Sequence, residues 1–277
     1  MNTWELAIKV SLPKQCLLAG IGAWIIALIS NGPEWLNQPK IAVAFCAAFS
    51  CLGSSLFHYG MRREMYAKKW WDPVVIKKPI ILLALRASIF VISILIVMIF
   101  VGAACAVVAA GNFVIIALYG KVLDRIWPIK NITAAMVCVS PIIMGWLAGN
   151  RLNPIIPSLI LGTLCVYLGR EGIKDTEDIE ANRGIRFTLP MMMGKLAAMR
   201  VAGWCLLASV VFYLQVALKI PEHPIMPFLL ILSAICLFAL LASRLIFASK
   251  LKVKYQNLDL GILLLMAAIL GMKGGLP

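Results

Sequence analysis

The sequence predicts an all-α protein that crosses a membrane nine times, with its N-terminus in the cytoplasm. Three observations support this fold class. First, 62% of the 277 residues are hydrophobic and only 14% are charged, whereas soluble domains are about half apolar and roughly a quarter charged. Second, several apolar runs approach or exceed the roughly 20 residues that a helix needs to cross a bilayer. Third, most lysines and arginines lie in alternate loops between these runs.

The same composition excludes several classes of protein. A mean hydropathy of +0.94 excludes a water-soluble enzyme, a disordered tail and a disulfide-stapled secreted module. The formal net charge of +14 reflects membrane topology, so no nucleic-acid partner is expected. The eight cysteines lie within apolar runs without a C-x-x-C pair, which is typical of small buried side chains.

The predicted spans follow the apolar runs in chain order. The run from residue 80 to 122 is too long for one helix, so we place a turn near Gly102 between the third and fourth spans. Gly145 and Gly149 form a G-x-x-x-G pair that permits close helix packing at the end of the fifth span. The nine spans are 16–29, 41–57, 80–100, 105–122, 132–147, 155–168, 191–218, 226–247 and 258–272.

The distribution of positive charge predicts the orientation. The N-terminus and the second, fourth, sixth and eighth loops hold most of the 26 lysines and arginines. The positive-inside rule therefore places these segments in the cytoplasm and the C-terminus outside. The chain is predicted to be a single domain over residues 1–277, in a cytoplasmic (inner) membrane. Loops 58–79 and 169–190 would form a polar cap on the cytoplasmic side of this domain.

The sixth loop concentrates acidic side chains. If the sixth helix continues beyond the membrane surface, Glu171, Asp175 and Asp178 share one face, and Asn182 lies four residues further on. Oxygen ligands of this kind suit Mg²⁺, which commonly binds through one or two carboxylates and phosphate oxygens. The alternative is a solvated charged helix whose acids pair with Arg170 and Lys174.

The second loop concentrates basic side chains. Ser54, His58 and Arg62 recur every four residues at the predicted cytoplasmic end of the second span, and Arg63 and Lys68 follow. Arginine offers paired donors and lysine a point charge to a diphosphate. The alternative is a basic loop lying on anionic lipid headgroups.

These motifs resemble the UbiA superfamily of intramembrane prenyltransferases. The run REGIKDTEDIEANRGIRFTLP is similar to the family's second aspartate-rich motif and its T-L-P. The stretch ALYGKVLDRIWPIKN resembles a Tyr-x-x-x-Leu-Lys-Arg segment ending in Asn, through Tyr119, Leu123, Arg125 and Asn131. The predicted nine spans and the polar loops after spans two, four and six also match. The resemblance covers most of the chain.

The chain departs from the family in its first aspartate-rich motif. The family pattern is approximately Asn-Asp-x-x-Asp-x-x-x-Asp, and the best register here gives Ser54, Ser55, His58 and Arg62. Every expected metal ligand is therefore changed. In the second motif, the last expected aspartate is Asn182.

The resemblance implies transfer of an isoprenyl group from its diphosphate to an aromatic or lipid-like acceptor, as in lipid or quinone biosynthesis. It also implies Mg²⁺ as the cofactor, with one ion on Asp175, Asp178 and Asn182. Asp175, Asp178 and Arg62 would be catalytic. The predicted substrate-binding residues are Ser54, His58, Arg63, Lys68, Tyr119, Asn131, Arg170 and Lys174.

Two other functions stay open at this stage. The changed first motif would also fit a catalytically altered or inactive relative that binds a lipid or a partner. A transporter is the third reading, with Arg86 as the ionisable residue inside a span. No carboxylate lies deep in any predicted span, which disfavours a proton or cation relay.

Overall fold

A computed structural model of the protein describes residues 13–31, 37–61, 79–149, 153–183, 187–219, 225–247 and 257–271. Within these ranges the regular structure is helical, with nine helices of 15 to 30 residues. Each predicted span falls on one of them. The helices are α1 (Pro13–Asn31), α2 (Gln38–Met61), α3 (Pro79–Phe100), α4 (Ala103–Lys121), α5 (Ile129–Leu147), α6 (Ile156–Glu177), α7 (Leu189–Leu218), α8 (Ile225–Phe247) and α9 (Asn257–Gly271).

The predicted break between α3 and α4 is confirmed at Gly102. This residue has φ 126° and ψ 173°, a backbone conformation that is open to glycine and strained for other residues. Its N–H donates to the carbonyl of Val97 at 2.9 Å. The chain therefore leaves α3 and enters α4 almost without a loop.

The described chain divides into two compact units. Described residues within Met1–Leu123 and Ser140–Arg151 form the first unit, and those within Asp124–Val139 and Leu152–Pro277 form the second. Helix α5 contributes residues 129–139 to the second unit and residues 140–147 to the first.

The first unit packs through small side chains. Its core is formed by α1, α2, α3, α4 and the second half of α5, and small residues such as Ala23, Ala27, Ala47 and Ala109 are fully or almost fully buried. A Cβ at Gly149 would overlap the side chain of Ser30 in α1. The G-x-x-x-G prediction is thus confirmed, because the glycine lets two backbones approach closely.

In the second unit, α6 packs against α7, α7 against α8, and α8 against α9. The α6–α7 contact contains a polar link, in which the hydroxyls of Thr163 and Tyr213 lie 3.1 Å apart. Tyr213 is 1% exposed, and its ring stacks on Phe238 of α8 at 5.9 Å. Such buried hydroxyl pairs fix the register of neighbouring helices in an apolar bundle.

Length and composition allow α5, α6, α7 and α8 to cross a membrane, while the other described helices have shorter apolar segments. Large apolar side chains face outward along the bundle, among them Ile99, Val107 and Leu218. Outward-facing apolar surface of this extent is typical of helices in lipid. The count of nine spans and the cytoplasmic N-terminus stay predictions.

Candidate functional site

The acidic motif lies at the C-terminal end of α6. The predicted continuation of this helix is confirmed as far as Glu177, and a short helix, Ile179–Asn182, follows. The helix does not continue to Glu180, because Asp178 leaves the helical conformation at φ −92° and ψ 16°. Glu171, Asp175 and Asn182 are nevertheless all buried, and Asp178 is half-buried.

The central contact of this region joins Asp175 to Lys130 in the first turn of α5. The Lys130 ammonium donates a hydrogen bond to Asp175 Oδ1 and forms an ion pair with it. The two side chains are only 1% and 3% exposed. A buried pair of this kind is stable only when the attraction between the two charges offsets the cost of removing both from water.

Three buried oxygen atoms in the second unit have no hydrogen-bond partner within the described part of the chain. They are the Oδ2 of Asp175, the Oδ1 of Asn131 and the Oγ1 of Thr188. Asn131 follows Lys130 directly, and Thr188 precedes the first residue of α7. Buried polar atoms are normally paired, so these atoms mark places where a ligand can complete the site.

A second group of charges lies one turn earlier on α6. Glu171 receives the guanidinium of Arg170 at 3.5 Å and the ammonium of Lys174 at 3.8 Å. Arg170 also reaches Asp259 in the first turn of α9, at 3.9 Å. The acidic helix is therefore internally paired, as the solvated-helix alternative expected, but Glu171 and Arg170 are largely buried.

The remaining predicted site residues lie elsewhere in the chain. Ser54 and His58 lie on α2, but their side chains are outside the described residues, as are Arg62, Arg63 and Lys68. Tyr119 is half-buried near the end of α4. Their predicted roles in binding an anion stay predictions.

Sequence reasoning missed Lys130, Asp259 and Thr188 as site residues. Lys130 was counted only among the positive charges that set the topology. Its partner lies 45 residues away in the chain, so no local spacing pointed to the pair. Thr188 belonged to the recognised T-L-P but was given no role. Its complete burial is visible only in the structure.

The described residues contain no group of three or more His, Cys, Asp or Glu side chains that could hold a metal ion by themselves. Asp175 does offer the buried Oδ2, an oxygen of the type that Mg²⁺ prefers. Asp178 is three residues further along the chain. An ion on Asp175 Oδ2 would take its other ligands from neighbouring oxygens, water or a phosphorylated substrate.

A family model described as the UbiA prenyltransferase family matches residues 77–266 of the chain. This range includes all of α3 to α8 and the acidic motif. A comparison with curated proteins gives no match.

The overall structure is similar to several solved structures. A structure of digeranylgeranylglyceryl phosphate synthase is 21% identical and has a TM-score of 0.73, covering 98% of this chain and 99% of that one. A UbiA homologue from Archaeoglobus fulgidus bound to GPP and Mg²⁺ is 14% identical, with a TM-score of 0.70 and coverage of 95% and 97%. The same homologue bound to DMAPP and Mg²⁺ gives 13% identity, a TM-score of 0.71 and coverage of 95% and 97%.

Proposed function

The chain belongs to the UbiA prenyltransferase family, and we propose that it transfers an isoprenyl group from its diphosphate to a hydrophobic acceptor. The observation that carries this proposal is Asp175, a buried carboxylate of the acidic motif whose Oδ2 has no partner among the described residues. Burying such an oxygen is unfavourable unless a ligand completes it. The similarity to a UbiA homologue bound to GPP and Mg²⁺ supports a diphosphate as that ligand.

The chemistry requires negative charge to be stabilised on the leaving diphosphate. As the C–O bond breaks toward an allylic cation, the two electrons stay on the diphosphate oxygen, so nearby positive groups lower the barrier. Water must also be excluded, because it would capture the cation. Apolar helices around a polar helix end provide such surroundings.

We propose one Mg²⁺ ion as cofactor, held by Asp175 Oδ2, Asp178 and, through its amide oxygen, Asn182. Bound there, the ion would supply positive charge to the diphosphate oxygens. This is fewer ions than a pair of aspartate motifs would hold, because Ser54, His58 and Arg62 occupy the ligand positions of the first motif. Arg62, Arg63 and Lys68 are proposed as further anion-binding residues.

The location and biological role proposed are a cytoplasmic membrane and lipid or quinone biosynthesis. The UbiA-family fold and the outward-facing apolar helices support membrane insertion. A hydrophobic acceptor follows from the same property, because a substrate that enters from the bilayer must be lipid-soluble.

The test is binding of geranyl S-thiolodiphosphate to the detergent-solubilised protein, with and without Mg²⁺. Asp178→Asn should lose at least about tenfold in affinity with Mg²⁺, since loss of one charged ligand costs about 1.4 kcal/mol or more. The matched control is Glu180→Gln, two residues away and 72% exposed, which should bind normally. Absence of binding by the wild type under both conditions would contradict the proposal and favour an inactive relative.

A further inference from the structure

The Lys130–Asp175 pair is not explained by the stability of its two helices. Lys130 lies in the first turn of α5, where the helix dipole disfavours a positive charge, and Asp175 lies in the last turn of α6, where it disfavours a negative one. Both side chains are almost completely buried. Replacing such a pair by apolar side chains is often neutral or stabilising, so stability alone does not account for it.

The charge of the pair has a consequence for a diphosphate ligand. A buried Asp175 carboxylate alone would repel a diphosphate, and a metal ion would have to bridge the two anions. The Lys130 ammonium, in contact with Oδ1, cancels that repulsion without any metal. It also places a positive charge beside the position of an ion on Oδ2, which weakens metal binding there.

From this geometry we propose that Lys130 is a built-in cation of the diphosphate site and takes the place of one metal ion. The inference rests on the proposed function and adds a residue to it. The ammonium neutralises Asp175 and, as a compact point charge, also attracts the diphosphate. The protein should consequently bind an isoprenyl diphosphate with a low requirement for Mg²⁺.

The first experiment uses a metal alone and needs no substrate. Mn²⁺ binding to the solubilised protein is followed by electron paramagnetic resonance in the wild type, Lys130→Gln and Lys130→Arg. Lys130→Gln removes the positive charge beside Asp175 and should bind Mn²⁺ more tightly by about tenfold or more, because the repulsion between the ammonium and the metal ion is lost. Lys130→Arg keeps the charge and should resemble the wild type. An unchanged affinity in Lys130→Gln overturns the inference.

The second experiment measures binding of geranyl S-thiolodiphosphate in EDTA and in excess Mg²⁺. The wild type should bind in both. Lys130→Gln should lose about tenfold or more in EDTA, because a charge-assisted contact to the diphosphate is removed, and should recover in Mg²⁺. A purely structural lysine would instead weaken binding equally in both conditions, and that result overturns the inference. If the wild type binds no analogue at all, the proposed function fails, and the Mn²⁺ result still decides the role of Lys130.

The double variant Lys130→Gln, Asp175→Asn protects the test against misfolding, because it leaves no unpaired charge. It should bind the analogue weakly in EDTA and should gain neither Mn²⁺ affinity nor recovery in Mg²⁺. Wild-type binding of the analogue by this variant in EDTA would overturn the inference.

Discussion

The buried ion pair between Lys130 and Asp175 predicts a large and specific effect on stability. Asp175→Asn removes the carboxylate and leaves a buried ammonium, and Lys130→Gln leaves a buried carboxylate. Each single change should cost about 3–5 kcal/mol of unfolding free energy, because an uncompensated charge stays inside the protein. This corresponds to about two to four orders of magnitude in the folding equilibrium.

The double variant separates the interaction from the cost of losing either side chain. With both groups neutral, only a charged hydrogen bond has been exchanged for an amide pair, and the cost should fall to about 1–2 kcal/mol. The double variant is then more stable than either single variant. The coupling energy, the difference between the double variant and the sum of the singles, should be about 4 kcal/mol or more.

The assay is reversible unfolding of the protein in mild detergent micelles, titrated with SDS and followed by the fluorescence of its eight tryptophans. The matched control is the exposed pair of Arg183 and Glu180, 3.5 Å apart with side chains 76% and 72% exposed. Its coupling should be near zero, since solvent screens it. Equal coupling in the two pairs, or single variants within 1 kcal/mol of the wild type, would refute the reasoning.

Two further predictions concern helix packing. Gly149→Ala places a methyl group against Ser30 and should destabilise the protein by about 1–3 kcal/mol. The control is Gly111→Ala, because nothing lies within 4 Å of a new Cβ there. In thermal unfolding this control should be neutral or stabilising. Tyr213→Phe removes the hydroxyl link to Thr163 and should cost about 0.6–1.7 kcal/mol. Adding Thr163→Val to it should cost less than the two single changes summed, and full additivity would speak against the bond.

The helices could be predicted from the sequence because apolar runs and glycine positions are local signals. Span boundaries came from hydropathy, and the turn at Gly102 came from the length that one helix can have. The end of α6 was harder to predict. Nothing in the spacing of Asp175 and Asp178 shows that the helix ends before Asp178, because acidic residues are compatible with helical and non-helical conformations.

The candidate site was predictable by residue type but not by pairing. The acidic motif indicated where carboxylates concentrate, and Asp175 was named on that ground. The partner of Asp175 could not be found in the same way, because Lys130 and Asp175 are brought together by the packing of two helices. Asp259 is further still from Arg170 in the chain, and it lies in an apolar segment whose single acid gave no pattern.

Two features of the chain both make the charge around the candidate site more positive. In the first motif, Ser55, His58 and Arg62 stand where carboxylates are expected, which removes negative charge and adds positive charge. In the second, Lys130 neutralises a carboxylate that is retained. A diphosphate needs a fixed amount of positive charge around it, and each carboxylate removed or neutralised reduces the number of metal ions that must supply it. If tethered cations supply the difference, Mg²⁺ dependence should weaken while binding of the diphosphate persists, whereas loss of function would abolish both together.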